Sequence, residues 1–228
     1  MFDRVSVLVP VFNNAETLRD LAQQITNELA DLQVEIVFVE DASHDGSADV
    51  LRAMASDEIK VIYNDKNIGQ QASIRKGLAV CAGQAVVVMD ADLQDPPEAI
   101  STLLCALFVG GHNAVFATRI GRYQSGFRML TSRAFRFLIR RLTNLPHGAG
   151  GFVAMTDDVA RTLAAKTNPR FYLAGMIGSE NYRIHAVPIG RNAREVGQSA
   201  YSGTMRLSQG LSNLTVVFKE RFSFHDER

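Results

Sequence analysis

Over the first 118 residues, short apolar runs rich in β-branched side chains alternate with amphipathic stretches of helical length. This alternation is typical of βαβ units, so it predicts a mostly parallel sheet with helices on its faces. The runs contain almost no polar residues, as expected for strands that are covered on both sides. The predicted strands are residues 5–11, 34–39, 61–63 and 85–89.

Capping and turn residues mark the predicted helices between these runs. Asn13 or Asn14 can cap a helix over residues 15–30, and Ser47 can start the next one. Pro96-Pro97 stands where prolines are tolerated at a helix start, and Gly110-Gly111 ends that helix.

The composition fits one compact cytoplasmic domain. Hydrophobic residues make up 46% of the chain and charged residues 21%, which excludes disordered and disulfide-rich classes. The two cysteines, Cys81 and Cys105, fall in predicted helix interiors and are expected to be buried, reduced thiols. Since neither a signal peptide nor an apolar run of about 18 residues is found, we expect cytoplasmic residence.

The two halves of the chain carry opposite charge. Residues 1–100 hold 17 acidic and 7 basic side chains, and residues 101–228 hold the reverse. An acidic half that binds a metal and a basic half that faces phosphates would use this asymmetry. Nucleic acid is not expected as a partner, because exposed aromatics do not alternate with the cations.

Most of the basic charge lies in one segment, which contains seven arginines between Arg119 and Arg141 and no Asp, Glu or Lys. On a helix, its apolar residues from Phe127 to Leu145 share one face and the arginines lie on the other. The segment therefore predicts a basic amphipathic helix. A strand over 151–155, a helix over 156–165, a strand over 183–189 and a loop over 191–201 are predicted beyond it.

In parallel sheets, ligands bind beyond the carboxyl ends of the strands, so the polar residues that follow the apolar runs are the candidates for a site. Asp90-Ala91-Asp92-Leu93-Gln94 follows residues 85–89 directly. Two carboxylates and an amide oxygen at this spacing can bind Mg²⁺ or Mn²⁺, which would stabilise a departing diphosphate. The alternative is that both acids simply cap the helix that begins near Pro96.

Two further clusters are weak when taken alone. Residues 40–47 contain Asp41 and follow the second strand, but Asp, Ser and Gly are also ordinary turn residues. Residues 67–77 contain Gln70 and lead into a helix whose N-terminus could face phosphate.

In this order, the motifs give the chain a specific resemblance. It resembles the inverting family-two glycosyltransferases of GT-A fold, and within them the polyprenyl-phosphate glycosyltransferases. The resemblance covers almost the whole chain and is most specific over residues 90–98. The matching segments are residues 5–14, 40–47, 67–77, 86–98, 119–122, 128–132, 150–155, 187–189 and 194–199.

The resemblance implies roles for the matching positions. Pro10, Asn13, Asp41, Gln70 and Asp90 would bind the nucleotide sugar. Asp92 with Gln94 would bind the metal, and Asp92 is therefore predicted to be a catalytic residue. Arg119 and Arg194 would face the donor diphosphate and are also predicted to be catalytic. The acceptor phosphate would be bound by Arg128, Ser132 and Ser199. The basic helix would then lie on the inner face of the membrane beside a lipid-phosphate acceptor.

The chain departs from this family at two informative positions. Where relatives often have Gly-Asp-Phe, this chain has Gly150-Gly151-Phe152. Where they often have Gly-Glu-Ser-Lys, it has Gly197-Gln198-Ser199-Ala200, which lacks the final cation. An acceptor that is already a phosphate anion needs little deprotonation, whereas a sugar hydroxyl needs a base.

The leading hypothesis is an inverting transferase that moves a sugar to a polyprenyl phosphate. One alternative keeps the donor site and uses a soluble or secondary-metabolite acceptor, and another is a nucleotide-sugar-binding protein without activity. The expected layout is a transferase domain over 1–202, with a donor half 1–118 and an acceptor half 119–202, followed by an amphipathic helical extension over 203–228. That extension would serve membrane attachment, core packing or a homo-oligomer contact.

Overall fold

The computed structural model describes residues 3–119, 143–168 and 171–190, which form one sheet with helices on both faces. The strands are β1 (Arg4–Val11), β2 (Gln33–Glu40), β3 (Ile59–Tyr63), β4 (Ala85–Val88), β5 (Ala114–Arg119), β6 (Val153–Thr156) and β7 (Ile184–Ile189). The helices are α1 (Leu18–Glu28), α2 (Ser47–Met54), α3 (Gln70–Leu78), α4 (Ala99–Val109), α5 (Asp157–Ala165) and α6 (Leu173–Ser179). A mostly parallel sheet flanked by helices is therefore confirmed.

The sheet has the strand order β3-β2-β1-β4-β6-β5-β7. All its pairings are parallel except those of β6 with β4 and with β5. Six strands thus end at one edge, where β6 begins. We call this edge the carboxyl edge and the opposite one the amino edge.

The two faces of the sheet bury separate layers of side chains. Alternate residues of β1 point to opposite faces, so that Val7 and Val9 join one core and Leu8 joins the other. Helices α1, α2 and α4 cover the first face, and α3, α5 and α6 cover the second. Because helices cover both faces of the sheet, a ligand can reach it only at its edges.

The predicted elements that fall within the described residues are present with end points shifted by a few residues, and two elements were not predicted. The predicted loop over 191–201 lies outside the described residues. β5 follows a glycine turn, and its short apolar run was not predicted as a strand from the sequence. α6 contains two glycines, which disfavour a helix, and its stability depends on burial: six of its seven residues are buried.

Two local predictions were wrong. Neither Asn13 nor Asn14 caps α1, which starts after Thr17, because both asparagines belong to a turn that binds a neighbouring loop. Leu145 is buried in a non-helical segment, so the predicted basic helix does not reach it. The rest of that helix, residues 120–142, lies outside the described residues.

The cysteines also differ from the prediction. Cys105 is on α4 but exposed, while Cys81 lies in the loop beyond α3 and is only partly buried. Burial is the main cause that raises the pKa of the Cys81 thiol, to about 12, so this thiol stays protonated.

Among the described helices, which have at most 11 residues, none has the length and apolar character needed to span a bilayer. The predicted extension over 203–228 lies outside the described residues.

Candidate active site

The strand order places a crevice at the carboxyl edge between β1 and β4. From β1 the chain builds outward to β2 and β3, and it then crosses to β4 on the other side of β1. Such a reversal of strand order separates the two flanking loops and opens a cleft that binds ligands. Asp90 and Asp92 follow β4 at this reversal, as the sequence predicted.

Backbone strain is concentrated at the same edge. Among the described residues, three that are not glycine have positive φ: Asn13 at 57°, Ala42 at 57° and Leu93 at 55°. They lie in the loops that follow β1, β2 and β4, respectively. Such conformations cost about 1–3 kcal/mol each and occur mainly where a loop must present particular groups. These three loops therefore form the candidate site.

The loops after β1 and β2 are fastened to each other. The Asn13 N–H donates to Ser43 Oγ at 3.0 Å, and Asn13 Oδ1 accepts from the His44 N–H at 2.9 Å. Asp45 accepts from the Ala15 N–H at 2.9 Å and also from Ser47. Burial acts to raise the pKa of Asp45, but these hydrogen bonds outweigh it and lower the pKa. The position of Asn13 is thus fixed by the second loop.

Asp41 is buried and organises the loop that precedes α3. Its Oδ1 accepts from Asn64 Nδ2 at 2.9 Å and from the Ile68 N–H at 2.8 Å. Its Oδ2 accepts from the Gly69 N–H at 2.8 Å. A direct contact of Asp41 with a nucleoside stays a prediction, whereas its hold on this loop is a feature of the structure. Pro10 is buried near the end of β1.

The loop that Asp41 holds before α3 places Gln70 beside the Asp-Ala-Asp motif. Gly69 has a φ of 87° and immediately precedes α3, whose first residue is Gln70. Gln70 Nε2 donates to Asp90 Oδ1 at 2.6 Å, which joins two residues that the sequence placed in one site. Because the Gln70 amide orients the Asp90 carboxylate, the two side chains form one unit beside the crevice.

Asp92 and Gln94 offer oxygens of the kind that a divalent cation prefers. Asp92 is half-buried and its Oδ1 accepts from the Gln94 N–H at 3.2 Å, so the turn at Leu93 holds both residues together. The described residues contain no cluster of three His, Cys, Asp or Glu able to bind a metal by itself. Mg²⁺ typically takes one or two carboxylates from the protein and completes its ligands with phosphate oxygens. The donor set therefore fits a cation that arrives with a phosphorylated ligand.

Gly151 faces this motif from the other half of the chain. Among the described residues, a Cβ built on Gly151 would have the Asp90 Oδ1 atom, 3.8 Å away, as its neighbour within 4 Å. A Cβ on the neighbouring Gly150 would meet none of the described residues within 4 Å. Because both residues are glycines, the segment before β6 places no side chain of its own next to Asp90.

The remaining predicted residues are only partly described. Arg119 is the last residue of β5 and pairs with Ile189 at the end of β7, so its backbone lies at the carboxyl edge. Arg128, Ser132, Arg194 and Ser199 lie outside the described residues, and their assignment stays a prediction.

Sequence reasoning missed one residue that shapes the site, Asn64. Asn64 bridges Asp41 and Ser73, and Lys76 donates to Asn64 Oδ1 at 2.7 Å. Asn64 follows β3 directly, and its place after a strand was the signal that could have identified it.

A parallel α/β fold alone does not determine function, and comparison with known proteins specifies the family. The model of the family "Glycosyl transferase family 2" matches residues 6–163. The chain belongs to this family.

Curated relatives that are named for a lipid-linked acceptor share about a third of the aligned residues. The undecaprenyl-phosphate 4-deoxy-4-formamido-L-arabinose transferase of Pseudomonas fluorescens Pf-5 is 32% identical over 211 residues, covering 89% of this chain and 61% of that protein. The protein of the same name from Serratia proteamaculans is 37% identical over 207 residues, covering 87% and 63%. The chain thus spans about three-fifths of the length of these relatives.

Solved structures show the same fold at lower identity. Glucosyl-3-phosphoglycerate synthase from Mycobacterium tuberculosis, solved with Mn²⁺, UDP-glucose and phosphoglyceric acid, aligns with a TM-score of 0.71 at 17% identity over 99% of this chain and 82% of that one. Mannosyl-3-phosphoglycerate synthase from Rubrobacter xylanophilus gives 0.67 at 19% identity, over 98% and 76%. These likenesses confirm the expected GT-A architecture.

Proposed function

We propose that this chain is an inverting, metal-dependent glycosyltransferase that moves a sugar from a nucleoside diphosphate sugar to a polyprenyl phosphate. The observation that carries the proposal is the strained turn after β4. There, Gln70 holds Asp90, and Asp92 and Gln94 are joined across Leu93. The names of the relatives support the acceptor class, and the family supports the reaction type.

The donor would bind across the β1–β4 crevice. Pro10, Asn13 and Asp41 belong to the two strand ends that would border the nucleoside, and the fastened loops keep this wall rigid. Asp90 would accept hydrogen bonds from hydroxyl groups of the sugar, while Gln70 fixes the orientation of the Asp90 carboxylate. Such preorganisation lowers the entropic cost of placing the anomeric carbon for attack.

Asp92 and Gln94 would hold Mg²⁺ or Mn²⁺ against the diphosphate. When bound, the cation supplies charge stabilisation for the leaving nucleoside diphosphate. Arg119, at the end of β5, and Arg194, five residues beyond β7, are proposed to add positive charge to the same leaving group.

The acceptor phosphate would approach from the side of Gly151. A phosphate monoester oxygen is already anionic near neutral pH, so the attack on the anomeric carbon needs no carboxylate base at position 151. Glycine at position 151 would place no side chain of its own in the way of this oxygen. Attack opposite the leaving diphosphate would invert the configuration of the anomeric carbon.

The arginine-rich segment supports a lipid-linked acceptor. Seven positive charges lie between 119 and 141, starting at the last residue of β5, whose end lies at the carboxyl edge. We propose that Arg128 and Ser132, with Ser199, bind the acceptor phosphate, and that the segment binds anionic lipid at the inner face of the membrane. In this layout, residues 1–118 form the donor half and 119–202 the acceptor half.

A transfer assay tests the proposal directly. The protein is incubated with Mn²⁺, a panel of radiolabelled UDP, GDP, CDP and dTDP sugars, and undecaprenyl phosphate in detergent micelles. We expect one donor to pass its label to the organic-extractable lipid, and we expect EDTA to abolish the transfer.

Parallel reactions use 3-phosphoglycerate or a free sugar as acceptor. Transfer to either of these but not to the lipid would disprove the lipid acceptor while keeping the donor chemistry. Nucleotide binding without transfer to any acceptor would identify an inactive binding protein.

A further inference from the structure

The first two residues of α3 reach toward different halves of the chain. Gln70 Nε2 donates to Asp90 Oδ1 in the donor half. Gln71 Oε1 instead accepts from the Leu173 N–H at 2.9 Å, across 102 residues of sequence. One rigid helix start therefore contacts both the Asp-Ala-Asp motif and the beginning of α6.

The contact with Leu173 is important because α6 is a weak helix. It has seven residues, includes Gly175 and Gly178, and receives no side-chain cap from Tyr172. The first N–H groups of any helix lack partners within that helix. The Gln71 amide oxygen satisfies one of these groups and so fixes the start of α6 relative to α3.

The other end of α6 determines the position of residues 143–145. The Asn144 N–H donates to the Gly178 carbonyl at 2.9 Å. A Cβ on Gly178 would lie 2.5 Å from Leu145 Cγ and 3.0 Å from Thr143 Cβ, which shows how closely this segment packs on the helix. A shift of α6 must therefore move residues 143–145.

Residues 143–145 lead through a short loop to Gly151, which faces Asp90. Arg75, also on α3, reinforces the same linkage, since its Nη1 donates to the Asn168 carbonyl at 2.9 Å and to the Lys166 carbonyl at 3.3 Å. Contacts thus link Asp90, Gln70, Gln71, α6 and residues 143–145 in series, and the chain beyond residue 145 leads to Gly151 on the side of Asp90.

We propose that Gln71 is a positioning residue for the acceptor side of the site. By holding α6 and, through it, residues 143–145, Gln71 restrains the loop that leads to Gly151, while the neighbouring Gln70 serves the donor side. The acceptor's identity in this inference rests on the proposed function, but the mechanical link does not.

Two substitutions at position 71 separate the hydrogen bond from the volume of the side chain. Gln71→Met has a similar shape and no strong acceptor, whereas Gln71→Glu keeps an oxygen for the Leu173 N–H. Gln23→Met, at an exposed glutamine of α1, is the matched control. Arg75→Met interrupts the second contact of α3 with this region and provides an independent variant should Gln71→Met fail to fold.

Hydrogen exchange measures the link without any ligand. We expect Gln71→Met to raise the exchange rate of the amides of Leu173, Asn144 and residues 149–151 by about tenfold, because one partly buried hydrogen bond is lost. Arg75→Met should raise the rates of the same amides. Gln71→Glu and Gln23→Met should stay within twofold of the wild type. Unchanged exchange in Gln71→Met, or equal damage in Gln71→Glu, would overturn the inference.

Kinetics then test the assignment to the acceptor side. In Gln71→Met, we expect the KM for undecaprenyl phosphate in micelles to rise about tenfold, with the affinity for the nucleoside diphosphate and Mn²⁺ within twofold of the wild type. An equal loss on the donor side would contradict a role confined to the acceptor. If the wild type does not use undecaprenyl phosphate, the proposed acceptor fails, and the exchange rates still decide the link.

Discussion

Glu35 at the amino edge of the sheet and the Asp90–Asp92 pair at the carboxyl edge are carboxylates in contrasting environments. At the amino edge, Glu35 is 1% exposed and binds Arg4, Lys60, the Ser6 hydroxyl and the Ala82 N–H. At the carboxyl edge, Asp90 and Asp92 are half-buried and lie on a turn with an unfavourable Leu93 conformation. A carboxylate surrounded by cations inside the protein stabilises the fold, whereas carboxylates on a strained, accessible turn are suited to a ligand.

Helix α3 connects these two edges. Its first residue, Gln70, contacts Asp90, and the chain that leaves its last turn reaches Glu35 through Ala82. Substitutions at either edge and in α3 can therefore show whether stability and ligand binding are separated as the comparison requires.

The largest effect is expected at the carboxyl edge. Asp92→Ala should lower transferase turnover by about a thousandfold or more, because the leaving diphosphate loses its metal. The urea midpoint should change little, since the residue is half-buried. Asp158→Ala, which removes an exposed carboxylate of α5, is the control and should keep full turnover. Full turnover in Asp92→Ala would break the comparison.

Glu35→Gln should have the converse effect at the amino edge. Burial opposes ionisation, but Lys60, Ser6 and the Ala82 N–H outweigh it and lower the pKa of Glu35 to about 2 from an ordinary 4.5. After discounting for the half-exposed cations, the substitution should lower the free energy of unfolding by about 2 kcal/mol at pH 7. Nucleotide affinity should remain unchanged.

The pH dependence of this stability has a definite sign. Because the folded-state pKa is lowered, the contribution of Glu35 is complete above pH 4.5 and is lost as the pH falls toward 2. Urea unfolding of the wild type and of Glu35→Gln should therefore converge in acid. The exposed pair Asp49–Arg52 supplies the control, since Asp49→Asn should change stability by less than about 0.5 kcal/mol. A constant gap between wild type and Glu35→Gln from pH 7 to pH 3 would be inconsistent with this account.

Gly77→Ala probes the connection between the edges. The added Cβ would overlap Leu8 and lie 2.9 Å from Val39 Cγ2, both of them buried. We expect a net loss of about 1–2 kcal/mol of stability, since overpacking exceeds the gain in helix propensity. Denaturant titration measures it, and a stabilised Gly77→Ala would show that α3 has more freedom than its packing indicates.

The smallest effect is expected at Gly151, and it sharpens the acceptor side. Gly151→Ala places a Cβ at ordinary contact distance from Asp90 and should change activity by less than threefold. Gly151→Asp adds a negative charge where an anionic acceptor would enter, so we expect its KM for undecaprenyl phosphate to rise about tenfold. A lower KM in Gly151→Asp would contradict an approach of the acceptor phosphate from the side of Gly151.

The sequence predicted those parts of the molecule that depend on local pattern. The β-branched runs predicted β1, β2 and β4 to within a residue or two, and Asp41, Asp90 and Asp92 follow these strands as expected, while their roles stay predictions. Two elements, β5 and α6, were missed, because a short apolar run is ambiguous and a helix with two glycines is stabilised only by tertiary burial.

Long-range partners could not be predicted from the sequence. Asn13 and Asn14 are of a residue type that often caps helices, but they bind residues 43–47 instead. This contact could be predicted only by knowing that β1 and β2 are neighbours in the sheet. Gln71 and Leu173 are 102 residues apart, and no periodicity connects them. The antiparallel insertion of β6, which brings Gly151 to Asp90, also follows only from the complete topology.

The most direct test of the carboxyl edge as a donor site is calorimetric titration of the wild type and Asp92→Ala with UDP, GDP, CDP and dTDP, each with and without Mn²⁺. We predict that the wild type binds one of these nucleotides in a Mn²⁺-dependent manner, and that Asp92→Ala loses this dependence while remaining folded. Failure of the wild type to bind any of them, or binding that is indifferent both to Mn²⁺ and to Asp92, would contradict the account.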